Sequence, residues 1–162
     1  MEILQLWVNL PSRLKMTTPR YVGLQRDAIP VLDRDGVRIQ LVSGSYDGAT
    51  GAFESLIGIT MMTVSLAAGS HITLPAPAAH TVFLYVVRGS VNVTGQPTDQ
   101  FRLVELNADG DSVELEASTD ALVLFGHAAP LGEPVVAHGP FVMNTREEIV
   151  EAFRDYQMGR FT

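Results

Sequence analysis

The stretch GSHITLPAPAAHTVFLYVVRG, Gly69–Gly89, decides the fold of this chain. Its second half, residues 82–87, is an unbroken run of apolar, β-branched and aromatic side chains. Such a run, bounded by turn residues, is typical of a buried strand. Arg88 and Gly89 follow it and predict a tight turn, because glycine commonly punctuates the ends of strands.

This predicted strand is apolar on both faces, since successive side chains of a strand point to opposite sides. Val82 falls on the face that we expect to be buried, and Phe83 and Tyr85 fall on the opposite face. A strand that is apolar on both faces needs a cover on each. We therefore interpret Phe83 and Tyr85 as candidate interface residues.

Outside this stretch, short apolar segments recur at fairly regular intervals, separated by Asp-Gly, Gly-Ser and Gly-Gln-Pro turns. This pattern predicts an all-β fold, an antiparallel sandwich or barrel. A single helix is predicted over residues 144–160, because Thr145 and Glu148 have capping-box spacing and Ile149, Phe153 and Tyr156 share one helical face. With 162 residues, one domain spanning residues 1–162 is the expectation.

The spacing of the central stretch resembles the first motif of the cupin family, with Gly69 and Gly89 in its two glycine places. In this alignment the histidine places of the motif fall on Pro75 and Pro77, and its acidic place falls on Val82. None of these side chains can ligate a metal ion. The resemblance thus implies a cupin-type jelly roll without the usual metal ligands.

The second cupin motif, laid from Gly110, leads to the same result. Its histidine place falls on Ala121, with Asp120 adjacent if the register shifts by one residue. The cupin interior nevertheless forms a ready pocket. The side chains that we expect to line it are Pro75, Pro77, His80, Val82 and Ala121.

Composition excludes several function classes. The chain carries 11 basic and 18 acidic residues, a net charge of −7, and no basic cluster, so direct nucleic-acid binding is not expected. It contains no cysteine, which excludes disulfides and thiolate chemistry. No apolar run is long enough for a membrane span, and the N-terminus lacks the pattern of a signal peptide. We expect a cytoplasmic protein.

Residues 1–30 contain the least regular part of the pattern. Residues 3–9 alternate as a strand would, and Pro11 ends the alternation. A long polar loop with two prolines follows, and loops of this length often carry function or pack against a neighbour. We therefore predict an N-terminal strand followed by a long loop.

Three segments resemble the C-terminal half of pirins. They are LQLWVNLP (Leu4–Pro11), KMTTPRY (Lys15–Tyr21) and EPVVAHGPFVMNTREEI (Glu133–Ile149). Pirins are two-domain cupins, and the resemblance implies that this chain carries only the second domain. The iron site of the family, and the quercetin dioxygenase activity of some members, would belong to the first domain. The resemblance therefore implies no metal cofactor and no catalytic residue here.

The histidines are the remaining candidates for chemistry. A metal site of His71, His80 and Asp120 is conceivable, and His80 would point into the barrel if its strand extends that far. His127 follows a predicted strand and is interpreted as a loop or surface residue, and His138 beside Gly-Pro as a turn residue.

Three functions stay open at this point. The first is a non-catalytic structural or interaction module that forms a homodimer or binds a metal-bearing N-terminal pirin cupin domain. The second is a quercetin 2,3-dioxygenase-like enzyme, with its activity in such a domain or at other ligands such as His71 and His80. The third is a small-molecule-binding cupin.

Overall fold

The computed structural model describes residues 3–161 and shows an antiparallel β protein with one C-terminal α-helix. This confirms the fold class. Two short 3₁₀ turns cover Ser12–Leu14 and Arg26–Ala28, and α1 covers Arg146–Gln157. The strands are β1 Val31–Arg34, β2 Val37–Ser43, β3 Ser45–Tyr46, β4 Ala49–Thr50, β5 Thr60–Leu66, β6 His71–Pro75, β7 Thr81–Arg88, β8 Ser90–Val93, β9 Gln96–Asp99, β10 Leu103–Glu105, β11 Ser112–Ala117, β12 Ala121–Ala128, β13 Val136–His138 and β14 Phe141–Met143.

The chain forms two compact units. One, here called the barrel unit, is Tyr21–Pro130, and the other, the terminal unit, combines Met1–Arg20 with Leu131–Thr162. The expectation of one domain over residues 1–162 stays a prediction. No helix within residues 3–161 is long and apolar enough to cross a bilayer.

The barrel unit contains two antiparallel sheets around one apolar core. The first sheet has the strand order β1-β2-β5-β12-β7-β10, and the second has the order β6-β11-β8-β9. Alternate residues of both sheets are buried together, as the pleat of half-buried strands requires. The largest buried side chains of this core include Phe125, Ile39, Met62, Leu84 and Leu115.

Strand β7 runs through the first sheet between β12 and β10. Its inward residues Val82, Leu84 and Val86 are buried, while Phe83 and Tyr85 on the outer face are half-buried. The ring of Phe83 lies over Gly126 of β12, where an added Cβ would be 2.7 Å from the ring. Part of the outer face is therefore covered from within the barrel unit, and an interface at Phe83 and Tyr85 stays a prediction.

In the terminal unit, α1 packs on the β13–β14 hairpin. The Thr145 side chain accepts a hydrogen bond from the Glu148 amide, and the Glu148 carboxylate accepts one from the Thr145 amide, which is a complete capping box. Phe141 on β14 contacts the rings of Phe153 and Tyr156 on α1, with centroids 4.9 and 6.0 Å apart. The predicted helix and its capping box are thus present in the structure.

Polar contacts of Glu133 and Lys15 hold residues 9–15 of the terminal unit to the β13–β14 segment. Glu133 accepts hydrogen bonds from the backbone and hydroxyl of Ser12 and from the amide of Asn144. The Ser12 amide, more than any other neighbour, lowers the pKa of Glu133. Lys15 donates to Asn9 and to the Val142 carbonyl. This part of the predicted long loop is therefore tied down by polar contacts.

The predicted N-terminal strand over residues 3–9 is wrong. These residues form no strand, and their backbone makes no hydrogen bond to another described part of the chain. Alternation of apolar and polar side chains suits a strand, but a strand also needs a neighbour to take its N–H and C=O groups. That neighbour is absent among residues 3–161.

Candidate functional site

The candidate site lies at one end of the barrel unit, where β7 begins and β12 ends. His127 on β12 has the same parity as the buried Phe125, and it pairs across the ladder with Val82. A turn places His80 just before β7, its amide donating to the carbonyl of Pro77. The two imidazoles meet there, with His80 Nδ1 and His127 Nδ1 2.9 Å apart.

Only one proton fits between these two nitrogens, so one ring donates and the other accepts. His127 is 8% exposed and its ring edge lies against Phe125, with centroids 5.9 Å apart. Burial, and to a lesser extent the charge of His80, lower the pKa of His127. The buried imidazole of His127 is therefore kept neutral near neutral pH.

A pocket of about 360 Å³ opens beside His80. His80 is part of its wall, and so are the uncharged polar residues Thr94, Gln96, Asn107 and Ser112. Its apolar lining is formed by the buried Val82, Val93 and Val113 and the half-buried Val104 and Leu106. Because these residues come from strands of both sheets and from the loop after β10, the pocket lies between the sheets at the mouth of the barrel. Glu105 and Asp109, both exposed, are its acidic residues.

The structure separates the residues that we expected to line one pocket. Pro77, His80 and Val82 line the pocket at the His80 end. Pro75 is exposed at the end of β6, and Ala121 is buried at the opposite end of β12. Ala121 contributes to a different, open depression of about 680 Å³, whose charged walls include Arg34, Arg88, Asp33 and Asp120.

The conceivable site of His71, His80 and Asp120 is not assembled. Asp120 precedes β12 and accepts a hydrogen bond from the Ala68 amide, while His127, seven residues later, marks the end where His80 lies. Seven residues of strand span about 23 Å. His71 lies on β6, exposed and opposite Glu116 in the second sheet. Within residues 3–161 no three histidine, aspartate or glutamate side chains are grouped as a metal site.

Two interpretations of single histidines need revision. His127 was expected in a loop or at the surface, but β12 continues beyond Phe125 and buries it. In the sequence, Ala121, Val123 and Phe125 alternate as inward residues. Extending this alternation by two residues would have predicted that His127 is buried. His138 lies on β13, and its ring contacts Phe153 edge-on at 5.5 Å.

Comparison with known proteins gives this architecture a family. The model of the Pirin C-terminal cupin domain matches residues 61–162. The chain is similar to a pirin-like protein of Caulobacter vibrioides, with 43% identity over 97% of the chain and 58% of that protein. A putative quercetin 2,3-dioxygenase of Pseudomonas aeruginosa is 38% identical over 99% of the chain and 57% of its own length.

A solved structure agrees with these similarities. The crystal structure of a quercetin 2,3-dioxygenase from Acinetobacter baumannii superposes with a TM-score of 0.90 at 35% identity, over 96% of this chain and 55% of that one. The chain therefore spans only somewhat more than half the length of these relatives. The matched family model covers the larger part of the chain, including Glu133–Ile149 and its capping box, and the chain belongs to the pirin family of the cupin superfamily.

Proposed function

We propose that this chain is a non-catalytic interaction module without a metal site of its own, which binds a metal-bearing cupin domain through residues 3–8. The family resemblance supplies the partner, since relatives nearly twice as long contain a further region that this chain does not match. The observation that carries the proposal is the exposure of the apolar residues 3–8 in the terminal unit.

Residues 3–8 combine three properties of a segment that adds to a sheet. Ile3 and Trp7 are 73% and 75% exposed, and Leu4, Leu6 and Val8 are also exposed. The backbone of the segment makes no hydrogen bond within the described residues. The sequence alternates with strand period. Addition to an open sheet edge would satisfy the backbone and bury alternate side chains at the same time.

The arrangement of ionisable side chains supports the non-catalytic part of the proposal. His80 and His127 meet, but no third histidine or carboxylate joins them within residues 3–161. A catalytic metal site commonly takes three protein ligands and keeps an open position for substrate. The metal chemistry would then belong to the partner domain.

The test uses the part of the Caulobacter vibrioides relative that this chain does not match, expressed separately. We expect light scattering after size exclusion at micromolar concentration to show a one-to-one complex. Trp7→Asp should weaken it by at least about tenfold, because a buried aromatic anchor typically contributes more than 1 kcal/mol. Val150→Asp is the matched control, since Val150 is an exposed apolar residue of the same unit outside the segment.

The same measurement separates the partners. A dimer of this chain alone, lost in Trp7→Asp, would identify a second copy as the partner of the segment. The proposal is contradicted if this chain stays monomeric when the domain is added, or if Trp7→Asp does not weaken the complex.

A rival function is enzymatic, and the relatives named quercetin 2,3-dioxygenases favour it. Oxygen uptake with quercetin separates the two functions. We expect no uptake above a protein-free control for this chain alone, with or without added Fe²⁺ or Ni²⁺. Uptake that requires His80 would establish the enzyme and contradict the non-catalytic proposal.

A further inference from the structure

The pocket beside His80 borders a pair of hydrogen-bonded imidazoles, which has no role in the proposed docking through residues 3–8. His80 and His127 share one proton between their Nδ1 atoms. In a neutral ring the nitrogen opposite the donor is an acceptor, and the nitrogen opposite the acceptor is a donor. When the shared proton moves from His127 Nδ1 to His80 Nδ1, His80 Nε2 gives its proton to water and His127 Nε2 takes one from water. His80 Nε2 then changes from a donor into an acceptor.

The surroundings favour a neutral ligand. The acidic residues of the pocket, Glu105 and Asp109, oppose an anion, and His80 is its only basic residue. The apolar lining offers a cation no carboxylate, because it is made of valine and leucine side chains. A buried charge without a partner is costly, so a charged group would stay away from this lining.

The size and lining of the pocket favour a small organic molecule. Its volume of about 360 Å³ falls in the range of ligand sites. Its lining joins apolar side chains to hydroxyl, amide and imidazole groups, from Thr94, Gln96, Asn107, Ser112 and His80, which suits a molecule with an apolar body and a polar end. A hydroxyl group both donates and accepts, which matches an imidazole that can do either. We infer that the barrel mouth binds a small neutral alcohol, with its apolar body between the sheets and its hydroxyl group on His80, whose tautomer His127 sets.

Three probes of nearly equal size test the charge class: benzyl alcohol, benzoate and benzylammonium. We expect benzyl alcohol to give saturable NMR shifts of the His80 and His127 ring nitrogens, with a Kd of about 1 mM or below, as suits so small a ligand. Benzoate and benzylammonium should bind at least about tenfold more weakly. Equal binding of a charged probe, or shifts that do not saturate, overturns the inference.

Two variants test the site itself. His80→Phe keeps the ring volume and removes the hydrogen bond, so it should weaken benzyl alcohol binding about tenfold or more. Val104→Phe should block the pocket while leaving the His80 and His127 signals in place, which shows that the chain is folded. His71→Phe, on the exposed face of β6, is the matched control and should bind as the wild type does.

His127 is a positioning residue in this scheme, and a spectroscopic signature separates that role from a structural one. In the wild type, bound benzyl alcohol should shift the tautomer populations of both rings together, read from their ¹⁵N chemical shifts. In His127→Gln the His80 tautomer should no longer follow the ligand. Binding that survives both His80→Phe and Val104→Phe would place the alcohol elsewhere and refute the inference, whatever the outcome of the docking experiment.

Discussion

The barrel unit has a large buried apolar core, and the terminal unit has a small one. In the barrel unit, inward residues of two sheets bury one another, and Leu41, Leu84 and Phe125 are wholly inaccessible. In the terminal unit the buried hydrophobic residues among those described are Ile149 and Ala152 together with Pro11, while Trp7 and many other large apolar residues are exposed.

The difference indicates where each kind of function resides. Exposed large apolar residues that follow one another, as in residues 3–8, are typical of a surface for another protein, whereas single exposed ones are ordinary. Two sheets packed face to face instead enclose an interior, and the part of it that is open to a ligand is the pocket between the sheets beside His80. Protein docking is therefore proposed for the terminal unit, and binding of a small molecule for the barrel unit.

The largest effect should come from the barrel core. Phe125→Ala should lower the free energy of unfolding by about 3–5 kcal/mol, because it removes a fully buried ring and leaves a cavity. Urea denaturation of the purified variant measures it. A loss below about 1 kcal/mol would mean that the core collapses around the cavity, and that the contrast between the units is smaller than the burial indicates.

A smaller effect is expected in the terminal unit. Thr145→Ala removes the side-chain half of the capping box and should cost about 1 kcal/mol. Hydrogen exchange of the α1 amides, Glu148 first, should become faster, while the β12 amides should not change. Thr145→Ser keeps the hydroxyl and serves as the control. Equal exchange in Thr145→Ala and Thr145→Ser would show that the hydroxyl does not hold the helix.

A pH effect should follow from the buried histidine. Folding lowers the pKa of His127 below its ordinary value of 6.5. Between pH 6.5 and this lower pKa, His127 is protonated in the unfolded chain and neutral in the folded chain. The contribution of His127 to the free energy of unfolding is therefore constant above pH 6.5, and this free energy falls as the pH drops below 6.5. Urea midpoints from pH 7.5 to 5.5 should fall less in His127→Gln. If the urea midpoints of the wild type and of His127→Gln fall equally with pH, folding does not lower the pKa of His127.

The smallest effect on stability is expected at the most exposed aromatic residue of the N-terminal segment. Trp7→Ala should change the free energy of unfolding by no more than about 0.5 kcal/mol, since the side chain is largely solvated. The same urea titration measures it, with Phe125→Ala as the opposite extreme. A loss above about 1.5 kcal/mol would show that Trp7 packs in solution, and the docking proposal would lose its main support.

Some of this architecture follows from local pattern. The predicted strand over residues 82–87 agrees with β7 to within one residue at each end, because its apolar run is bounded by turn residues. The capping box was also predictable, since Thr145 and Glu148 satisfy each other within one helical turn. Features set by neighbours in sequence are visible in sequence.

Features set by distant neighbours were not. Residues 3–9 have the alternation of a strand, but whether a strand forms depends on a partner that no local pattern describes. His127 was misplaced because its burial depends on how far β12 extends along β5 and β7. The pairing of His80 with His127 joins residues 47 positions apart, and only the register of the ladder brings them together.

The contact of Phe83 with Gly126 has a consequence for how these two positions can vary. A side chain at position 126 would collide with the Phe83 ring. The sizes of the residues at positions 83 and 126, on neighbouring strands, therefore limit each other. Gly126→Ala should be far less harmful in a chain that already carries Phe83→Ala than in the wild type, which is an energetic coupling of the two sites. In diverging sequences a larger residue at 126 would have to appear together with a smaller one at 83.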